Sequence, residues 1–312
     1  MLKALNFLIT LLYVLLSTFV CLIIVLLIDT ITSKEITIEN VTKLNSGFFG
    51  DAGIWIMLIG WIALCYASPF LFSRIYIYFN NWRNPIREEQ NLAEKCTKDV
   101  LEKAGSKKAI SLLIEEELTV NASAFSTNYI ILSKGMLKTM DENQIKSVIA
   151  HELGHLKSRD SYFILVNYYC KLFLSPFKFI LKFIGKTLAQ NILLGLFVIV
   201  VLIVAGNSVG KKGQEITIMA AIFILTIILI AILNKILDYL FLALSRSIEF
   251  ARDFYAYKLG YGTYMEKSLA HLSEISPQKG SAFFYLTSTH PIIQSRIRKL
   301  EQLNSKTQNF KQ

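Results

Sequence analysis

The sequence predicts a mainly α-helical, multi-pass membrane protein with about four transmembrane helices and a small cytoplasmic α+β domain. Composition is the first reason. Hydrophobic residues make up 53% of the 312 positions and the mean hydropathy is +0.45, above what a soluble domain usually carries. The second reason is how those residues are gathered. Segments 4–28, 52–73, 187–210 and 216–234 contain no Asp, Glu, Lys or Arg, and each reaches or approaches the roughly 20 residues that cross a bilayer core. The third is that most of the polar sequence lies between the second and third of these stretches and after the fourth, where helix and strand patterns return.

Taken in order, segment 4–28 reads as an anchor and not as a cleaved leader, being too long for a signal's apolar region and followed by no small-x-small cleavage site. Connector 29–51 holds two Lys against four acidic residues, whereas 74–108 holds Arg74, Arg83, Arg87, Lys95, Lys98, Lys103, Lys107 and Lys108. The excess of basic residues places 74–108 in the cytoplasm and the connector outside, with the N-terminus inside. Residues 84–104 read as a charged helix, and 110–118 and 121–132, rich in β-branched and apolar side chains, as short strands.

The next helix begins at Asp141, which with Gln144 predicts a capping box, and continues as an apolar stripe of Ile145, Val148, Ile149 and Leu156. It carries His151-Glu-Leu-Gly-His155. On a helix the two imidazoles lie one turn apart on one face and can share a zinc ion, while Glu152 reaches a water at the same ion. An apolar helix with two His and a Glu must satisfy those polar groups, which a metal does more completely than scattered hydrogen bonds. Beyond it, Lys171, Lys178, Lys182 and Lys186 alternate with Phe173, Phe177, Phe179 and Ile180. That is the pattern of a basic amphipathic segment at the membrane interface, broken at Pro176, or of the submerged start of the third span.

Hydrolysis at zinc needs a third protein ligand and one position left for water. Glu249, in Ser-Arg-Ser-Ile-Glu-Phe-Ala-Arg-Asp over 245–253, is the candidate, and Asp253 one turn on could accept a hydrogen bond from His151. The two spans 187–210 and 216–234 separate it from His155, and an even number of crossings returns it to the same compartment. Lys211 and Lys212 sit in the short external turn, against the charge rule. The expected parts are 1–80 with two N-terminal spans, 81–186 as the α+β part with the metal helix and basic segment, 187–240 as a transmembrane hairpin, and 241–312 as a helical part with the third ligand and a tail.

With these residues in view, the chain resembles the membrane zinc metalloproteases that include HtpX and, more distantly, the CAAX-processing endopeptidases and mitochondrial quality-control relatives. The resemblance rests on His151 to His155 followed by Arg159-Asp160, on Glu249-x-x-x-Asp253 after a Ser-Arg pair, on Ser288-Thr289-His290-Pro291 with Arg296-Ile297 and Leu300, and on Asn121-Ala122-x-Ala124. The likeness implies a zincin-like metalloprotease domain binding one zinc ion per chain through His151, His155 and Glu249, with Glu152 as general base. It also implies that the strand at Asn121, Ala122 and Ala124 binds extended substrate, that His290 is a transition-state stabiliser, and that damaged or misfolded membrane proteins are the substrates. Arg252 stands where the family usually has Ala, Ser123 where it has Phe, and Ile292 where it has Pro, which puts substrate preference in question.

The expected reaction is hydrolysis of peptide bonds at the cytoplasmic face of the cell membrane, with no covalent intermediate. A prenyl-protein-processing protease, a sensor-transducer metalloprotease and an inactive membrane scaffold stay open as alternatives. Partners are polypeptide or membrane-protein substrates and the lipid bilayer, and a homo-oligomer is compatible. The net charge of +10 is accounted for by anionic lipid, and no aromatic-interleaved basic motif points to nucleic acid. Cys21, Cys65, Cys96 and Cys170 form no Cys-x-x-Cys pair, so neither a disulfide framework nor a thiolate zinc site is expected. His271 reads as a helix-surface residue with no role.

Overall fold

The computed structural model describes residues 1–32, 50–190, 210–275 and 291–309. The fold is mainly helical, with one small sheet. In chain order the elements are α1 (Leu2–Thr32), α2 (Gly50–Leu71), α3 (Ser73–Phe79), α4 (Arg87–Lys103), β1 (Ser111–Glu115), β2 (Ala122–Phe125), β3 (Tyr129–Ser133), α5 (Lys134–Thr139), α6 (Glu142–Ser158), α7 (Asp160–Gln190), α8 (Lys211–Ala256), α9 (Gly262–Ile275) and α10 (Ile293–Asn309). They divide into two compact units, one made of Met1–Ile9, Ser68–Val166 and Tyr239–Gln312, the other of Thr10–Ala67 and Asn167–Asp238.

The second unit is built for lipid. Leu15, Ile56, Ile59, Leu225, Leu229 and Ile232 are exposed, a surface that hydrocarbon tolerates and water does not. Several of its polar groups are paired internally, as an apolar medium favours. The Tyr13 hydroxyl donates to Asp238 at 2.7 Å, Lys171 Nζ lies 2.9 Å from the same carboxylate, and the Trp61 indole donates to Ser17 Oγ at 3.2 Å. Helix α7 runs unbroken through Pro176, where the sequence predicted a break. Pro176 has no N–H for the carbonyl of Leu172, and the Ser175 hydroxyl supplies the missing donor at 2.7 Å.

Among the described residues two helical stretches are long and apolar enough to cross a membrane, Leu2–Ile23 and one within Ile228–Ile275. A third is added if Trp55–Leu71 and Ser73–Phe79, bent by 48°, form one broken span. The expected span 187–210 falls almost wholly outside the described residues, so the count among these is two or three instead of four. The expected span 216–234 is part of α8, which continues as one helix through Glu249 and Asp253.

In the first unit the sheet order is β1-β3-β2, with β1 parallel and β2 antiparallel to β3. Segment 121–132, read as one strand from its composition, is in fact two strands joined by a turn at Ser126–Asn128, with Ser126 at φ 54°. The free side of β1 is covered by Arg83, whose N–H and carbonyl both pair with Ile114. Strand β2 ends the sheet on the other side. At the start of α5, Ser133 Oγ accepts from Met136 N–H as a cap and from Asn121 N–H, which ties β2 to β3. Gly135 lets the chain pass Leu118, because a Cβ there would come within 2.1 Å of the Leu118 carbonyl oxygen.

Helix α6 is the centre of this unit. Its start has the expected reciprocal cap, in which Asp141 and Gln144 each accept the other's backbone N–H at 2.9 Å. Ile145, Ile149, Ala150, Leu153 and Leu156 are fully buried against α4, the sheet and residues near Tyr261, each large side chain contributing about 1.5–3 kcal/mol. Val148, expected on the same buried stripe, is only half-buried because it borders the cleft described next.

Candidate metal centre

His151 and His155, one turn apart on α6, and Glu249 on α8 bring one donor atom each to within 4.8 Å of one another. His151 Nε2 is 3.3 Å from His155 Nε2 and 3.4 Å from Glu249 Oε2, and His155 Nε2 is 3.6 Å from Glu249 Oε1. Bonds of 2.0–2.1 Å to a tetrahedral ion put neighbouring donors about 3.4 Å apart; the two Nε2 atoms stand at that spacing, and each has a different oxygen of the Glu249 carboxylate at 3.4 or 3.6 Å. The approach depends on Gly154. A Cβ at that position would meet the Arg252 stem at 2.9 Å and the Tyr255 ring at 3.2 Å, so glycine allows α8 to cross close over α6.

The far side of each ring faces an acid. Asp253 Oδ1 lies 2.9 Å from His151 Nδ1, and Asp160 Oδ2 lies 3.4 Å from His155 Nδ1. A proton held at Nδ1 leaves the Nε2 lone pairs pointing at the shared centre. Arginines hold the acids in turn. Arg296 donates two hydrogen bonds to Asp253, at 2.8 and 2.6 Å, and reaches Glu249 at 3.3 Å, while Arg252 Nε lies 2.8 Å from Asp160 Oδ2. All of these residues are buried, none more than 9% exposed.

Electrostatics favour positive charge at the centre. Burial opposes charge on both imidazoles, yet Asp253 and Glu249 still raise the pKa of His151, and Asp160, Glu249 and Glu152 push that of His155 up to about 10. A field that favours imidazolium also favours a cation between the rings. The carboxylates of Glu249 and Asp253 in turn raise the pKa of Arg296 above the usual arginine value against the pull of burial, so it stays charged.

Glu152 sits beside His151 and is 7% exposed. It faces a cleft of about 490 Å³ whose walls are Asn121, Ala122, Ser123 and Ala124 along β2, Val148 and both histidines on α6, Glu249 on α8, Met265 and Leu269 on α9, and Arg296 on α10. Thus Asn121, Ala122, Ala124, His151, Glu152, His155 and Glu249 meet at one place, with Asp253 directly behind. His290 lies outside the described residues, although its neighbour Pro291 lines the cleft.

Arg296 and Asp160 were visible in the sequence without a role. The signal for Arg296 is its place in an apolar stripe, three residues after buried Ile293 and four before buried Leu300. A charge there must have a buried partner. Asp160 opens α7 directly after Arg159, which ends α6 in the left-handed conformation at φ 63° and turns the chain back toward His155.

Residues 87–304 match the family described as peptidase family M48. A "Protease HtpX homolog" of Sulfurihydrogenibium sp. (strain YO3AOP1) is 24% identical over 91% of this chain and 96% of that protein, and one of Aquifex aeolicus (strain VF5) is 26% identical over 82% and 86%. A "CAAX prenyl protease 1 homolog" of Oryza sativa subsp. japonica is 32% identical over 54% of this chain, which spans only 36% of the rice protein. The crystal structure of S. mikatae Ste24p shares the fold, with a TM-score of 0.51 at 17% identity over 79% of this chain and 58% of that one.

Proposed function

Since the chain belongs to peptidase family M48, we propose that it is a membrane-bound zinc endopeptidase in which His151, His155 and Glu249 hold one zinc ion and Glu152 is the general base. The observation that carries this is that the two Nε2 atoms stand 3.3 Å apart with the two oxygens of the Glu249 carboxylate at 3.4 Å from one and 3.6 Å from the other, beside a carboxylate that faces the cleft. When bound, zinc supplies Lewis-acid polarisation of the scissile carbonyl and lowers the pKa of water. Glu152 takes a proton from the attacking water and returns it to the leaving amine. Asp253, held by Arg296, orients His151, and the role of transition-state stabiliser falls to His290.

The end strand β2 lines the cleft, so an extended polypeptide adds to the sheet along Asn121–Ala124 and is recognised mainly through its backbone. Such recognition tolerates many sequences, which suits damaged or misfolded membrane proteins presented at the cytoplasmic surface. The basic residues of 74–108 against the acidic connector 29–51 support that orientation. Single cysteines on a background lacking the four native ones test it: Ser46→Cys should label from outside the cell and Ser106→Cys should not. Outside labelling at Ser106→Cys would reverse the orientation.

A prenyl-protein-processing reading is favoured by the rice relative and by the Ste24p fold. Purified enzyme given an unmodified unfolded membrane protein and a farnesylated CAAX peptide separates the two. Cleavage confined to the farnesylated peptide would replace the quality-control reading.

A further inference from the structure

One of the two imidazoles, His155, is linked through a buried acid to a buried arginine. Arg252 is 9% exposed, and its Nε lies 2.8 Å from Asp160 Oδ2 as an ion pair that is not an aligned hydrogen bond. That same oxygen is 3.4 Å from His155 Nδ1. Asp160 is 1% exposed, and its other oxygen accepts only a long hydrogen bond, 3.5 Å from Asn6 Nδ2. A carboxyl group so deeply buried needs a partner to hold its place, and Gly154 leaves the space through which the Arg252 stem reaches it.

We propose that Arg252 is a positioning residue for His155. Its guanidinium holds the Asp160 carboxylate near the ring by ion pairing, and that carboxylate biases the ring orientation and tautomer that aim His155 Nε2 at the cation. The two acids behind the rings thus have separate arginines, Arg296 for His151 and Arg252 for His155. The inference rests on the zinc reading of the cluster and adds a residue to it.

The test is zinc affinity of the purified full chain, measured by competition with a chromogenic chelator, together with the visible absorption of the cobalt-loaded protein. Arg252→Gln and Asp160→Asn should each weaken zinc by about 10–100-fold and shift the cobalt bands, as loss of such supporting partners does. The double variant should weaken it no more than the stronger single one. Arg252→Lys should restore part of the affinity, because it keeps the charge that pairs with Asp160 while changing the head group. Wild-type zinc affinity in Arg252→Gln, or single effects that add, would overturn the proposal. If Arg252→Gln fails to fold, the double variant decides, since it removes both buried charges together, and wild-type affinity there overturns the proposal equally. A wild-type chain that binds no zinc would overturn the zinc reading itself, which the variants alone do not touch.

Discussion

The two imidazoles are held by unequal means. Behind His151, Asp253 stands 2.9 Å from Nδ1 and is gripped by Arg296 through two hydrogen bonds. Behind His155, Asp160 stands 3.4 Å away and, among the described residues, is met by Arg252 Nε and, distantly, by Asn6. The stronger grip also does more, because Arg296 reaches Glu249 at 3.3 Å and so connects a ring's support to the third donor. A fork fixes a carboxylate plane, whereas one contact leaves it free to turn. The His151 side should therefore be the rigid part of the centre and the His155 side the adjustable one.

Breaking the stronger side should have the largest effect. Arg296→Gln strands the buried carboxylates of Asp253 and Glu249 together, and removing one partner of such a pair costs about 3–5 kcal/mol. Denaturant unfolding of the solubilised chain should show that loss along with reduced zinc content. A variant as stable and as zinc-rich as wild type would show that the fork does not matter.

A direct contrast comes next. Asp253→Asn and Asp160→Asn change the same group behind each ring, and each should weaken zinc within the range of about 10–100-fold, the first more than the second. Chelator competition on both variants checks the order, and the reverse order would mean that His155 is the better-supported ring. The smallest effect should come from Gly154→Ala. The new Cβ meets the flexible Arg252 stem at 2.9 Å, so the cost should be about 1–3 kcal/mol from overpacking, with zinc affinity lowered through the His155 side. Thermal unfolding and chelator competition on this one variant read both.

The same inequality governed what could be read from the sequence. The His151 side is closer to a helical-spacing problem: His-x-x-x-His and Glu-x-x-x-Asp each put their residues one turn apart, so once Glu249 is taken as a ligand the 3.6-residue period puts Asp253 on the same face, within reach of a histidine ring. The capping box at Asp141 and Gln144 was legible for the same reason, being local. The His155 side depends on where a chain reversal at Arg159 leaves Asp160 and on how closely α8 crosses Gly154. Neither follows from periodicity, so Arg252 stood out only as a departure from a pattern. The hairpin within 121–132 was signalled by the polar turn-forming run Ser126-Thr127-Asn128, but the residues of high β propensity on both sides outweighed it. Pro176 misled for a comparable reason, since the compensating donor is a neighbouring serine whose role needs the helix to exist first.

The central claim is that His151, His155 and Glu249 hold a metal that works with Glu152. Zinc content and peptide hydrolysis, measured on the same purified preparations of wild type, Glu249→Ala and Glu152→Gln, test it most directly. The account predicts about one zinc per chain and chelator-sensitive cleavage in wild type, little of either in Glu249→Ala, and full zinc with cleavage lowered by about 10²–10⁴ in Glu152→Gln. Full zinc and normal cleavage in Glu249→Ala, or undiminished cleavage in Glu152→Gln, would contradict it.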